Sequence, residues 1–457
     1  MVKVMNNLYR ILITLLMIVA FISCQAKIAG PKNIILFISD GCGYNQVEAA
    51  TLYQYGQTGK QIYQRFPVTY AMSTYPVNGQ GYDPQLAWAS FDYVRNKPTD
   101  SAASATTIAT GSKTLNGYIG MDPDGKPLEN IIERVEKAGK ATGVVTSVEF
   151  SHATPAAFVA HNISRNNYEE IGAYMILDSK LEVIMGCGHP LFDDDSKLRA
   201  NADYRYVGSK DIWKMLTIGT IGNDSDGDGT TDPWVLIENR LDFQKLMTGP
   251  TKKRIIGIPR VATTLQESRS GDEKAAPFSV PFTKNVPTLE EMTKGAINVL
   301  DQDPDGFFLM VEGGAIDWAS HSNLSGRMIE EEISFNRAVE SAVAWVDKFS
   351  NWDETIIIVT GDHETGYLTG PGSDPQEDSA NMNRNEIWKP LVNNGEGHQP
   401  GMEWHSEGHT NSLIPFYAKG IGSEKFNQRI KGNDPVRGPY IDESDISQVL
   451  FSFYPVK

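Results

Sequence analysis

Two pairs of side chains suited to gripping a cation stand close together in the chain. Asp317-Trp-Ala-Ser-His321 ends a segment that begins with the apolar run FFLMVEGGAI, and Asp362-His363 follows TIIIVTG. Residues four apart share one face of a helical turn, so Asp317 and His321 can close on one ion. Asp362 and His363 stand where a buried strand would end, the edge at which open α/β sheets place their ligands. Carboxylate oxygen together with imidazole nitrogen suits a borderline divalent ion, zinc first. The chemistry implied is metal-assisted hydrolysis.

The elements that must position these groups are legible as short apolar runs. Residues 34–38, 142–146, 307–311 and 355–360 read as buried parallel strands. Helical stretches separate them. Residues 130–139 close on Lys137 and Gly139, and residues 325–349 are amphipathic with acids early and Lys348 late. The alternation predicts an α/β fold: three-layer and doubly wound, with a mostly parallel central sheet and inserted cover segments. Those segments fall near 190–285 and 371–404, where charge, Gly, Pro and Asn replace clean apolar periods; residues 75–97 form a third irregular stretch. A parallel sheet gathers its carboxyl ends at one edge. Asp40 follows the first run, His152 and Thr154 the second, Glu312, Asp317 and His321 the third, and Asp362 and His363 the fourth, so all can converge.

A nucleophile candidate, Ser101, lies in the segment PTDSAASATTIATG. The small residues after it and the closing Gly111 predict a helix with Ser101 at or near its N-terminus, where free N–H groups and the dipole favour an anion. A plain N-cap role for Ser101 or Asp100 fits the same pattern; the neighbouring metal-type residues favour phosphoryl transfer.

Composition narrows the classes. The 457 residues, 40% hydrophobic and 21% charged, can bury a large core. A formal charge of −16 argues against a nucleic-acid surface and means that an anionic substrate needs local positive charge. The N-terminal residues carry Lys3 and Arg10, then an apolar run ending at Ser23-Cys24. This pattern predicts an export signal over residues 1–23, of the kind that leaves Cys24 for lipid attachment, although Phe21 stands where Leu is usual. The mature unit would be 24–457, periplasmic or anchored at the outer membrane of a bacterium. Cys42 and Cys187 show no metal spacing; small buried hydrophobes and a disulfide pair are both compatible with the sequence.

The segments DSAASAT, NIILFISDG, ATPAAFVAH, EGGAIDWASH, TGDHE and GHTNS together resemble the motifs of the alkaline phosphatase family, in order and across nearly the whole mature chain. The resemblance implies two Zn2+, one Mg2+ and small phosphomonoester substrates. It makes Ser101 the nucleophile that forms a phosphoseryl intermediate and Arg165 the clamp on two phosphate oxygens. Asp40, shared with magnesium, joins Asp362, His363 and Ser101 around one zinc. Asp317, His321 and His409 surround the other, and Thr154 and Glu312 complete the magnesium site. An alkaline optimum follows if serine and water must both be deprotonated. Family members are often dimers, so a homodimer is a further expectation.

Two positions depart from enterobacterial members. His152 replaces an Asp beside the magnesium ligands, as in animal enzymes, and implies weaker magnesium occupancy and activation by added Mg2+. Trp318 replaces a Lys, removing a cation near the phosphate; faster product release and simple packing are both open. Pro98 stands at a position usually apolar and branched. His161 reads as a core or network residue, and His189, His398 and His405 as loop residues. Asp224, Asp226, Asp228 and Asp232 resemble the first half of a calcium loop, with Val235 where the bidentate Glu would stand; calcium and a solvated acidic turn remain alternatives. Rival functions are a phosphodiesterase or sulfatase on the same scaffold, and a non-catalytic phosphate- or metal-binding lipoprotein.

Overall fold

A computed structural model describes residues 30–374 and 388–455. The expected export signal, Cys24 and residues 375–387 of the second cover segment lie outside the described residues.

The centre is an eleven-stranded sheet. Its strands in chain order are β1 (Asn33–Ser39), β2 (Val68–Ser73), β3 (Ala141–Glu149), β4 (Val183–Cys187), β5 (Val235–Ile237), β6 (Ile255–Gly257), β7 (Phe307–Gly313), β8 (Thr355–Gly361), β9 (Ile414–Gly420), β10 (Gly432–Asp434) and β11 (Gly438–Asp442). Across the sheet the order is β10-β11-β2-β9-β8-β1-β7-β3-β4-β6-β5. From β8 to β5 every pairing is parallel. β9 runs antiparallel to both its neighbours, and β10 antiparallel to β11. The mostly parallel, doubly wound α/β architecture is as the sequence predicts.

Helices cover both faces. Among them are α1 (Tyr44–Tyr55), α2 (Ser101–Thr110), α3 (Ile131–Glu136), α4 (Ala153–Ala157), α5 (Tyr168–Leu177), α6 (Leu289–Leu300), α7 (Ala315–His321), α8 (Ser325–Phe349) and α9 (Asp445–Phe451). Ile34, Leu36 and Ile38 of β1 pack with residues of α2, α3, α5 and α9, while Ile35 and Phe37 pack with α1, α6 and α8. With both faces covered, the strand has no polar side, which is why its sequence is a continuous apolar run and not an alternation. The four apolar runs of the sequence all become adjacent central strands, β3, β7, β1 and β8.

The segment 190–285 contributes more than a cover: β5 and β6 extend the sheet at one edge. Arg254 seals that edge, its guanidinium lying over Trp234 at 3.9 Å and donating to the carbonyls of Leu181 and Ser179. Cys42 and Cys187 are buried free thiols, not a disulfide. Among the described residues no helix is long and apolar enough to cross a membrane.

Candidate active site

The carboxyl ends of β1, β3, β7 and β8 deliver the predicted donors to one place. Register explains the convergence: Ile38 lies opposite both Glu312 and Thr360, so Asp40 and Asp362 leave their strands at one level and Glu312 stands two residues before it. Gly41 allows the approach of α7. Its φ is +71°, and a Cβ there would stand 2.7 Å from the Asp317 backbone.

Ser101 is the first residue of α2 and is buried. Asp100 is the N-cap, its Oδ1 accepting from the Ala103 N–H at 2.9 Å, so the capping role falls to Asp100 and leaves the Ser101 hydroxyl free for chemistry. Ser101 Oγ lies 3.1 Å from His363 Nε2. The same nitrogen is 3.4 Å from Asp40 Oδ1 and 3.2 Å from Asp362 Oδ2. Both those oxygens are buried without a hydrogen-bond partner. The other oxygen of Asp362 accepts the N–H groups of Gly41 and His363, at 3.1 and 2.9 Å. One carboxylate oxygen is thus held by the backbone and the other presented to the cluster.

A second set adjoins the first. His321 Nε2 is 3.3 Å from Asp317 Oδ2, and His409 Nε2 is 3.5 Å from Asp317 Oδ1. The two imidazole Nε2 atoms are 3.0 Å apart. His409 comes from a short antiparallel pair, Glu364–Thr365 with His409–Thr410, which ties the second set to the turn bearing His363. A third set brings Asp40, His152 and Glu312 within ligand reach of one another, with Thr154 Oγ1 at 3.5 Å from Asp40 Oδ2. Glu312 Oε1 and His152 Nδ1 are buried without partners.

The electrostatics of these sets call for a cation. Burial, reinforced by the mutual repulsion of Asp362, Asp317 and Glu312, holds Asp40 well above the ordinary carboxylate range. Burial pushes Glu312 and Asp362 up to about 7 each. Burial also raises Asp317, but hydrogen bonds from His321 and His409 outweigh it and bring its carboxyl below the ordinary range. Burial drives His363 down, reinforced by His409. Unpartnered buried oxygens beside imidazole nitrogens are a donor set for divalent metal ions.

Several functional contacts escape sequence reading. Thr365 links two sets: its hydroxyl lies 2.6 Å from Asp317 Oδ1 and 3.3 Å from His363 Nδ1. A chain from His363 Nδ1–H through Thr365 to Asp317 leaves Nε2 as the free donor atom. His409 Nδ1 is held by the Thr99 carbonyl at 2.8 Å, and His321 Nδ1 by the Glu407 carbonyl, with the same effect. Glu312 accepts from the Thr146 hydroxyl. Only backbone carbonyls or one hydroxyl are involved in each case, so no motif marks them.

Arg165 Nη1 donates to Asp100 Oδ2 at 3.1 Å, and Nη2 lies 3.4 Å from His152 Nε2. The cap of α2 therefore also orients the guanidinium. Trp318 packs edge-on to His152, with ring centroids 5.7 Å apart. His161 bridges Glu133 and the Gly120 carbonyl, His189 pairs with Glu238, and His405 bonds Thr369.

The acidic turn brings together Asp224, Asp226 and Asp232. Asp228 is a correction to the expected ligand set: it is not in the group that Asp224, Asp226 and Asp232 form, and its Oδ1 accepts the Thr230 N–H at 2.8 Å. Lys253 already contributes a positive charge, its ammonium bridging Asp226 and Asp232.

A doubly wound sheet whose edge gathers three such donor sets around one buried serine defines an α/β metal-site architecture. The alkaline phosphatase family profile matches residues 31–399, and the chain belongs to that family. Alkaline phosphatase 3 of Bacillus subtilis is 32% identical over 346 residues, covering 73% of this chain and 61% of the relative. The chain thus spans less than two thirds of that relative's length. The Escherichia coli alkaline phosphatase is 32% identical over 350 residues, covering 73% and 70% respectively. The solved structure of alkaline phosphatase from the Antarctic bacterium TAB5 superposes with a TM-score of 0.61 at 26% identity, over 93% of this chain and 98% of that one.

Proposed function

We propose that the protein hydrolyses phosphate monoesters through a phosphoserine formed on Ser101, releasing inorganic phosphate. The observation that carries this reading is the position of Ser101 Oγ, 3.1 Å from His363 Nε2 at the N-terminus of α2. Asp40, Asp362 and His363 would hold one zinc beside Ser101; Asp317, His321 and His409 a second; Asp40, Thr154 and Glu312 a magnesium. Bound there, the ions would supply positive charge and Lewis acidity to the attacking and leaving oxygens of an in-line displacement.

The chain's own residues do the rest. The free N–H groups at the start of α2 and the Arg165 guanidinium bind the non-bridging phosphate oxygens. Ser101 Oγ attacks phosphorus, its proton is lost, and the alcohol departs with a proton. Water then attacks the phosphoserine, restoring the serine hydroxyl and freeing phosphate. Asp100 holds both the helix cap and Arg165, so nucleophile and clamp move as one body.

Turnover of p-nitrophenyl phosphate, with and without chelator, tests the reading, and parallel rates on a diester and a sulfate ester separate it from other hydrolases on this scaffold. Labelled phosphate should appear on Ser101 and be absent from Ser101→Ala; undiminished labelling of the variant would refute the nucleophile. His152 beside Asp40 and Glu312 supports the weak-magnesium reading, since a neutral imidazole holds magnesium-bound water less firmly than a carboxylate. The N-terminal pattern supports export with lipid attachment at Cys24, and the family's habit supports a homodimer. Calcium at Asp224, Asp226 and Asp232 is the finer proposal for the acidic turn, and it requires displacement of Lys253.

A further inference from the structure

α2 is tied to the turn after β8 at two points. Ser101 and Ser104 are three residues apart and share one helix face. Ser101 Oγ meets His363, and Ser104 Oγ donates to the Asp362 carbonyl at 2.7 Å. Ser104 Oγ also contacts the Glu443 carboxylate, which arrives from the far end of the chain just beyond β11. Glu443 Oε1 accepts from Lys113 Nζ at 2.7 Å, and the same ammonium reaches Asp442 Oδ2 at 3.1 Å. Lys113 follows Gly111, the C-cap of α2, and its ammonium lies 3.8 Å from the Tyr75 ring centroid. Ser104 and Glu443 are buried, and the Lys113 side chain is 16% exposed.

We propose that Ser104, Glu443 and Lys113 form a positioning relay that sets the distance between the nucleophile helix and the Asp362–His363 turn. The inference rests on the phosphatase reading above and assigns the relay no contact with substrate. Its physical basis is economy of restraint. A helix pinned at one catalytic contact can still roll, whereas a second bond one turn further along fixes its rotation and depth. The Asp362 carbonyl is the natural anchor, because the same residue presents its carboxylate to the cluster. The one Ser104 hydrogen is shared between the Asp362 carbonyl and Glu443 Oε2, and Lys113 donates to the other oxygen of Glu443, whose carboxyl burial raises to about 7. A buried ion pair is weak evidence for stability alone; here the pair ends on the nucleophile's own helix, where displacement of about 1 Å can cost a hundredfold in rate.

The test is the rapid-mixing burst of p-nitrophenol from metal-loaded enzyme, compared for wild type, Ser104→Ala, Glu443→Gln and the double variant. Bound zinc and magnesium, thermal midpoint and KM are measured alongside. The relay predicts a burst rate lowered about 10- to 100-fold in Ser104→Ala, with metal content kept and KM within about threefold. The double variant should be no slower than Ser104→Ala, because both changes cut one chain. A wild-type burst rate in Ser104→Ala, with only the thermal midpoint lowered, overturns the relay. So do losses that multiply in the double variant, or a loss explained by missing metal. Should Ser104→Ala fail to fold, Glu443→Gln alone carries the test, and a wild-type burst rate there overturns the relay. A metal-loaded wild-type enzyme that releases no p-nitrophenol, in the burst or in the steady state, removes the phosphatase reading itself, a result distinct from all of these.

Discussion

Among the described residues, acidic groups with metal-type geometry gather at the sheet edge and in the acidic turn, and they are solved in opposite ways. At the sheet edge, Asp40, Glu312 and Asp362 are buried, with oxygens that no protein donor satisfies. In the acidic turn, Asp226 and Asp232 already share the Lys253 ammonium, at side-chain exposures of 39% and 12%. The first cluster imports its positive charge; the second has it built in. Proximity of carboxylates is therefore not the mark of a metal centre. The mark is several unsatisfied buried oxygens gathered beside imidazole nitrogens; the acidic turn holds one such oxygen, Asp224 Oδ1, but a neighbouring lysine supplies its positive charge.

The largest effect expected from this contrast is at Asp362. Asp362→Asn removes the charge that faces His363 while leaving an amide oxygen for the backbone N–H groups, and should cut p-nitrophenyl phosphate turnover about a thousandfold or more. Asp226→Asn in the same assay should leave turnover within about twofold. Comparable losses in both variants would erase the distinction.

Removing metal should come next. Exhaustive chelation leaves the sheet-edge acids mutually repelling, so the thermal midpoint at pH 8 should fall by about 10 °C and recover with zinc. A midpoint indifferent to chelator would contradict a cluster that depends on a cation.

A third solution appears at Glu331 of α8, whose carboxyl burial biases toward the protonated form. Burial, then repulsion from Glu267 and Glu330, raises it to about 8, against the lowering effects of Arg269 and the Glu267 N–H. The folded state holds this proton more tightly than the unfolded chain. The stabilisation is complete below the ordinary glutamate value and is lost progressively as pH rises from there through about 8, on the order of 5 kcal/mol. Glu331→Gln should flatten the decline in urea midpoint between pH 5.5 and 8.5; an identical slope in the variant would place the titration elsewhere.

The smallest effects concern weak cations. Calorimetric titration of Ca2+ should give a signal that Asp226→Asn removes and Lys253→Met strengthens, because the lysine competes for the same oxygens. An Asp226→Asn isotherm equal to wild type would assign any calcium elsewhere. Added Mg2+ should raise the turnover of zinc-loaded protein a fewfold through the His152 site, and a flat response would remove that reading.

How much of this the sequence discloses depends on how local the cause is. β1, β3, β7 and β8 are visible because burial on both faces leaves a continuous apolar run. α2 is visible through Asp100 at its N-cap and Gly111 at its C-cap. β5 and β6 escape because three residues cannot show a period, and the residue that seals them, Arg254, looks like a surface charge. The donors Asp40, Asp317, His321, Asp362, His363 and His409 can be named from their places after strands and in motifs. Thr365, Thr146 and the carbonyls of Thr99 and Glu407 cannot, since a threonine or a backbone oxygen carries no chemical signature until the fold brings it against an imidazole or a carboxylate. Asp228 shows the reverse error: its spacing suits a calcium loop, but it does not join the group that Asp224, Asp226 and Asp232 form.

The most direct measurement is anomalous diffraction at the zinc edge on metal-loaded crystals. The account predicts two peaks about 4 Å apart, one among Asp40, Asp362 and His363 with Ser101 Oγ beside it, the other among Asp317, His321 and His409, and no zinc at Asp226 and Asp232. Density that leaves the Asp362–His363 set empty, or puts Ser101 out of reach of it, would contradict the proposed centre.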